Sequence, residues 1–167
     1  MIFLKVKEYN RKKAIEYASK WAYKRNPRYY NFDRVGGDCT SFISQCIYAG
    51  CNTMNYKKHI GWYYNSASDR TASWSGVEYL YNFLTTNKEI GPRAIETNIN
   101  NLEIGDVIQL RFVPGSFGHS LMVVDKKSNN LEDIYIATHT EDSYHRKVST
   151  YNFQVIRFLH ITNIGIY

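Results

Sequence analysis

The chain has 167 residues, of which 44% are hydrophobic and 22% are charged, values typical of one folded domain with one core. No uncharged apolar run reaches the length of a membrane span, so no spanning segment is expected. The net charge of +6 is concentrated at the start, because residues 1–30 hold nine Lys or Arg and two Glu, a net +7.

This basic segment predicts either a solvated helix face or a patch that attracts an anionic polymer. Nucleic acid is not an expected partner, because the sequence contains no nucleic-acid-binding motif. The first residues, MIFLKVKEYNRKK, lack a signal-peptide pattern because charges interrupt a short apolar piece. We therefore expect a protein that stays in the cytoplasm until it is released, or one that is part of a longer exported protein. We also expect a monomer with a single domain over residues 1–167.

Two helices are predicted in the first fifty residues. Residues 11–25 place apolar residues on one face and basic residues on the other. A second apolar-periodic run extends from Cys39 to Gly50, a plausible stop, and Asp38 is its expected cap. Both helices are expected to bury one face.

An aromatic, irregular stretch follows over residues 51–74, and a third helix is predicted after it. Ser75 and Glu78 have the spacing of a capping box. Four segments rich in β-branched and aromatic residues then predict strands at 106–112, 119–125, 133–139 and 153–161. Helices first and strands after predict an α+β fold, with N-terminal helices packed on a C-terminal antiparallel sheet.

Cys39 is the candidate nucleophile. It lies in the first turn of the predicted second helix, on the buried stripe. A helix N-terminus lowers the pKa of a thiol, and its unpaired N–H groups can donate to an oxyanion. Cys46 and Cys51 lie in mid-helix and past its end, where a small buried residue is expected. A purely structural role is the alternative for Cys39.

Two histidines are candidates for the catalytic base and for the residue that orients it. If His119 pairs with His139, the midpoint of the hairpin falls in the turn-like Ser128-Asn129-Asn130. Directly opposed residues point to the same face of a sheet, with Cβ atoms within about 5.5 Å. This register predicts that one of the two, His119 or His139, is the base for Cys39 and that the other orients it. Asp142 is the alternative orienter if the strand ends early.

No metal site or cofactor is expected. The spacing of the three cysteines matches no zinc pattern. His145 is predicted to lie in a loop and His160 on the last strand, and neither is needed for the thiol chemistry.

The segments GGDCTSFISQCIYAG, GWYY, SWSGVEYLY, GDVIQL, HSLMVV and ATHT occur in this order. Together they resemble the putative amidase-domain family, which is grouped with the papain-like cell-wall hydrolases of the NlpC and CHAP types. The resemblance extends from about residue 9 to residue 161.

The resemblance implies a papain-like fold, a nucleophilic Cys39, a base His119 at the start of a strand and a polar third residue. His139 is the simplest match for the third residue, and Asp142 stays open. An upstream oxyanion donor is usual in these relatives, and Tyr30 is the candidate for it. The implied reaction is hydrolysis of an amide bond in peptidoglycan, between sugar and stem peptide or within the stem peptide. The implied partners are peptidoglycan or its peptide fragments, and the basic N-terminal helix is expected to favour anionic wall polymers.

Four aromatic residues of the irregular stretch are candidates to line a substrate groove: Trp62, Tyr63, Tyr64 and Trp74. Packing in the core or in a lid is the alternative for them. Two other functions remain open from the sequence. The same thiol would support acyl transfer to an amine, and the fold would also serve as a wall-binding module without turnover.

Overall fold

The computed structural model describes residue 1 and residues 3–167 as an α+β arrangement of four helices and nine strands. The helices are α1 (Arg11–Trp21), α2 (Cys39–Cys51), α3 (Ala72–Ser75) and α4 (Val77–Thr86). The strands are β1 (Lys5–Lys7), β2 (Tyr64–Ser66), β3 (Asp69–Arg70), β4 (Gly91–Thr97), β5 (Val107–Arg111), β6 (His119–Lys126), β7 (Ile134–Thr138), β8 (Ser143–Lys147) and β9 (Val155–Ile166).

Seven strands form one antiparallel sheet in the order β1-β9-β5-β6-β7-β8, and β4 also pairs with β9. The long strand β9 joins β1, β4 and β5. The remaining strands, β2 and β3, form a separate hairpin. Strands β5, β6 and β7 follow one another as neighbours, so the start of β6 and the end of β7 lie at the same end of the sheet.

The sheet separates two apolar clusters, as the alternation of side chains along its strands requires. The cluster between the helices and the sheet includes Ala14, Ala18, Phe42, Ile43, Ile47, Leu80, Leu84, Val107, Met122, Ala137 and Leu159. The cluster on the opposite face consists of Leu102, Ile108, Leu110, Leu121, Val123, Ile134, Ile136 and Val148. Helix α2 is buried on all sides from Cys39 to Ile47, so its first turn is held in place by the fold.

Helix α1 ends four residues before the predicted boundary. Its last residue is Trp21, and Ala22 is the C-cap. The chain leaves the helix here, and Arg25 forms ion pairs with Asp33 and Asp142. These tertiary contacts replace the last helical turn that the amphipathic pattern predicts.

The predicted capping box of the third helix is wrong. Ser75 is the last residue of the short α3, and Gly76 occupies the N-cap of α4. The Glu78 carboxylate instead accepts a hydrogen bond from the Phe117 backbone N–H at 2.7 Å and pairs with Arg157 at 3.3 Å. Glu78 therefore anchors the loop before β6.

Strands β1, β2, β3, β4 and β8 were not predicted. Strand β4 contains Gly91 and Pro92, which disfavour a strand by propensity, but it pairs with β9 alone and so tolerates proline. Strand β8 contains His145, so the loop predicted there is wrong. His145 is exposed and pairs with Asp125 at 3.1 Å, while its ring stacks on Tyr135.

Across residue 1 and residues 3–167, no helix combines the length and the apolar character needed to cross a membrane.

Candidate functional site

Asp38 occupies the N-cap position of α2, but its side chain does not cap the helix. Its Oδ1 accepts a hydrogen bond from the Phe32 backbone N–H at 2.9 Å, and its Oδ2 accepts one from His139 Nδ1 at 2.5 Å. The N–H groups of the first turn, including those of Cys39 and Thr40, therefore receive no side-chain cap. Such groups are suited to an anion at the helix N-terminus.

The Cys39 thiol lies in this first turn and is nearly enclosed, with the residue 6% exposed. Its Sγ lies 3.7 Å from Thr40 Oγ1, and that hydroxyl lies 3.0 Å from Ser120 Oγ. Burial raises the pKa of the Cys39 thiol above its ordinary value, and these contacts offset only part of that rise. The expectation of a lowered thiol pKa is therefore wrong for the free protein, because desolvation outweighs the hydrogen bonds that favour the thiolate.

A buried chain of polar side chains lies behind the thiol. Thr40 Oγ1 is 3.0 Å from Ser120 Oγ, which accepts a hydrogen bond from Gln109 Nε2 at 3.2 Å. Arg157 Nη2 donates to Gln109 Oε1 at 2.6 Å and pairs with Glu78. This chain crosses from α2 through β6 and β5 to β9. It fixes the start of β6, where Ser120 and His119 lie, relative to the N-terminus of α2.

His119 begins β6 and borders a cavity of about 440 Å³. The cavity is lined by Phe112, Gly118, His119, Thr140, Glu141, Arg146, Thr150, Tyr151 and Asn152. Burial, together with the positive charge of Arg146, lowers the pKa of His119 to about 4. The imidazole is therefore neutral near pH 7, as a proton acceptor must be.

The thiol and the His119 imidazole are close in the fold but are not hydrogen-bonded. Through Thr40, the Cys39 thiol is connected to Ser120, the next residue after His119. Strand alternation puts His119 on the face of Leu121 and puts Ser120 on the helix-covered face of Met122. Within the described part of the chain, the His119 ring has no hydrogen-bond partner, and Cys39 is not among the residues that line the cavity. Nothing polar thus fixes the rotamer of His119.

The predicted role of His139 as orienter of His119 needs correction. In the pairing of β6 with β7, Met122 lies opposite Ala137. Continued by two residues, this register puts Ser120 opposite His139. This register differs by one residue from the predicted one, and a one-residue difference exchanges the faces of a strand. His139 consequently lies on the helix side, where its ring stacks on Phe42 with 4.0 Å between centroids.

His139 instead holds the segment that precedes the nucleophile. Its Nδ1 bonds Asp38 Oδ2, and its Nε2 lies 2.8 Å from the backbone carbonyl of Trp21. The His139 ring thus lies between two oxygen atoms, one from the Asp38 carboxylate and one from the Trp21 carbonyl. His139 and Asp38 are each 1% exposed. This buried hydrogen-bonded pair joins the end of α1, the N-cap of α2 and the end of β7, and the sequence motifs gave no signal for it.

Asp142, the alternative orienter, is also engaged elsewhere. Arg25 donates to both of its carboxylate oxygens, at 2.8 and 2.9 Å. Arg25 pairs with Asp33 and Asp38 as well. Asp142 therefore belongs to the ion-pair network beside Asp38, and the described contacts do not connect it to His119.

The four aromatic residues predicted to line a groove lie in the core. Trp62 and Trp74 are fully buried, with ring centroids 4.9 Å apart and ring planes tilted by 34°, and Tyr63 and Tyr64 are also buried. The groove prediction is wrong for them, because the irregular stretch folds inward between α2 and α4. Within this segment, β2, β3 and α3 are short, and its aromatic side chains supply buried apolar area.

Tyr30, the weak oxyanion candidate, is 47% exposed. Its ring packs edge-on against Phe32, and its backbone N–H donates to the Tyr64 hydroxyl at 2.8 Å. The described contacts do not join the Tyr30 hydroxyl to Cys39. The uncapped first turn of α2 provides donors closer to the thiol.

One cluster, Glu103, Asp106 and His160, has the side-chain spacing of a metal site. Its centre is taken by a protein cation, since Arg11 Nη1 donates to Asp106 Oδ1 at 2.7 Å and Arg11 also pairs with Glu103 at 3.3 Å. Asp106 also accepts from His160 Nδ1 at 2.8 Å and from two backbone N–H groups. The cluster thus ties α1 to β5 and β9 and does not fit a metal ion, which would have to displace the guanidinium.

The fold and the site together define an α+β domain with a thiol at a helix N-terminus and a neutral histidine at the neighbouring strand end. The chain belongs to the family described as "Putative amidase domain", whose model matches residues 8–161. The family description indicates amide hydrolysis.

Two proteins of Bacillus subtilis (strain 168) are similar to the chain. The uncharacterized protein YhbB is 36% identical over 128 residues, which cover 74% of this chain and 40% of YhbB. The uncharacterized protein YjcM is 28% identical over 144 residues, which cover 81% of this chain and 32% of YjcM. The chain thus spans less than half the length of these curated relatives. No solved structure matches it.

Proposed function

We propose that the protein is a cysteine-dependent amidohydrolase that cleaves an amide bond of bacterial peptidoglycan, with Cys39 as the nucleophile and His119 as the general base. The observation that carries the proposal is the pair of contacts from Cys39 Sγ to Thr40 Oγ1 at 3.7 Å and from Thr40 Oγ1 to Ser120 Oγ at 3.0 Å, which places the thiol near Ser120, the neighbour of the cavity residue His119. Membership of an amidase-domain family supports the reaction type. The resemblance to papain-like cell-wall hydrolases supports the substrate and the fold assignment.

The raised thiol pKa and the lowered imidazole pKa favour a resting pair in which both groups are neutral. The thiol proton then moves to a His119 ring nitrogen as the sulfur attacks the amide carbonyl. Because no hydrogen bond holds the His119 ring, it reaches the sulfur by rotation or through one water molecule. The Cys39–carbonyl bond forms, the carbon–nitrogen bond breaks, and His119 returns the proton to the departing amine.

The oxyanion of this step is negatively charged and forms at the N-terminus of α2. The first-turn N–H groups of that helix lack a side-chain cap because Asp38 is directed to His139 and Phe32. They are donors fixed in advance by a fully buried helix, which is the property an oxyanion site requires. Water then hydrolyses the thioester and frees Cys39.

The basic face of α1 supports attraction to anionic wall polymers. Lys12 is 88% exposed, and Lys20 and Lys24 both lie about 5 Å from the Trp21 ring. Exposed cations of this kind raise the local concentration of a polyanion without selecting its structure.

The test is digestion of purified cell-wall sacculi and defined muropeptides, read by mass spectrometry and by the release of free amines. Cys39→Ala and His119→Gln should abolish release. Cys46→Ala removes a buried thiol from the same helix and is the matched control that should retain activity. Equal release by the wild type and Cys39→Ala would rule out the proposal, and products that carry an added amine would indicate transfer in place of hydrolysis.

A further inference from the structure

The cavity beside His119 contains one cationic side chain whose donors are only partly used. Arg146 Nε donates to Thr150 Oγ1 at 2.7 Å, and its Nη1 lies 3.5 Å from Glu141 Oε2. Within the described residues, Nη2 has no hydrogen-bond partner. Glu141 is 82% exposed, so its attraction to Arg146 is screened by water. The guanidinium thus keeps donors for another acceptor.

The position of this guanidinium is fixed by its neighbours. It lies 3.7 Å from the centroid of the Tyr151 ring, and its side chain is 26% exposed. The Tyr151 ring lies 5.6 Å from the His119 ring, and Arg146, Tyr151 and His119 line the same cavity. The charge of Arg146 reaches His119, because it contributes to the lowered pKa of that imidazole. A stacked, preorganised arginine beside the candidate base is a geometry suited to bidentate recognition of a carboxylate.

We propose that Arg146 binds a free carboxylate of the substrate close to the scissile amide, so that the cavity selects acidic acyl peptides. The inference rests on the proposed function and adds a substrate class to it. Peptidoglycan stem peptides carry free carboxylates that can also occur as carboxamides, and the two forms differ in charge but hardly in shape. An arginine in a mostly apolar cavity distinguishes them, because only the carboxylate offers it a charged, bidentate partner.

The experiment compares kcat/KM for two synthetic stem peptides that differ in one group near the cleaved bond, a free carboxylate in one and a carboxamide in the other. For the wild type we expect a preference of about tenfold or more for the acid, the size of effect that one charge-assisted hydrogen-bonded contact provides. Arg146→Gln should reduce this ratio to about one, mainly by loss on the acid. Arg146→Lys should keep part of the preference, because it retains the charge but not the fork.

Arg28→Gln removes an exposed arginine and is the matched control, with an unchanged ratio expected. Thr150→Ala removes the Nε partner alone and should weaken the preference without abolishing it. Wild-type protein that cleaves both peptides equally would refute the inference and leave the amidase proposal intact. Failure to cleave either peptide or sacculi, with Cys39→Ala indistinguishable from the wild type, would instead refute the proposed function. The wild-type ratio decides the question even if Arg146→Gln does not fold.

Discussion

The buried pair of Asp38 and His139 should be a major contributor to stability, and His139→Phe tests this. Phenylalanine keeps the stacking position on Phe42 but removes both ring nitrogens. The Asp38 carboxylate then keeps Arg25 at 3.4 Å as its cationic partner, and the Trp21 carbonyl loses its contact with Nε2. Both members of the pair are 1% exposed, so water cannot replace the lost contacts.

Loss of a buried hydrogen bond to a charged group costs about 1.5–3 kcal/mol. For a chain of this size, 1 kcal/mol shifts the melting temperature by about 2–4 °C, so we expect a decrease of about 3–12 °C. Thermal unfolding followed by circular dichroism measures it. His145→Phe is the matched control, because His145 also pairs with an aspartate but is exposed and should contribute about 1 kcal/mol or less.

The alternative, in which His139 acts only as the orienter of His119, makes the opposite prediction. In that case His139→Phe would abolish turnover while the melting temperature stayed within about 2 °C of the wild type, the shift expected for less than 1 kcal/mol. That result would refute the assignment of His139 to the Asp38 anchor.

Three further predictions follow from the burial of particular groups. Because burial raises the pKa of the Cys39 thiol, the rate of its alkylation by iodoacetamide should still increase between pH 8 and pH 9, which is about the ordinary thiol pKa. Cys39→Ala is the blank, and a rate that reaches a plateau below pH 8 would contradict this prediction. The pKa of His119 is about 4 in the folded protein and about 6.5 in the unfolded chain, so the unfolded chain binds more protons between these pH values. The free energy of unfolding should therefore fall by about 3 kcal/mol as the pH decreases from about 6.5 to about 4. Urea titrations should show a smaller fall in this free energy for His119→Gln, and an identical fall would refute the lowered pKa of His119. Trp62→Ala should destabilise the fold by about 3–5 kcal/mol, because the side chain is fully buried, whereas a normal melting temperature with a raised KM would restore the groove hypothesis.

Local signals in the sequence were enough to predict α2 and the three strands β5, β6 and β7. Helix α2 begins at Cys39, as the apolar period after the paired glycines indicates. Every boundary of these three strands lies within one residue of its predicted position. Hydrophobic periodicity and turn residues depend only on neighbours along the chain, so they can be recognised in the sequence without the tertiary structure.

Contacts between distant segments decided the rest. The partners of Asp38 and Glu78 come from β7 and from the loop before β6, and a capping motif cannot reveal such partners. The sheet faces on which His119 and His139 lie depend on the register of β6 and β7, because a shift of one residue moves a side chain to the opposite face. The thiol pKa depends on how completely the fold encloses Cys39, and desolvation there exceeds the effect of the hydrogen bonds that favour the thiolate. The sequence by itself thus determined which reactive groups the chain contains and on which elements they lie. Only the tertiary structure decided their neighbours and their charge, because both depend on residues that are far apart along the chain.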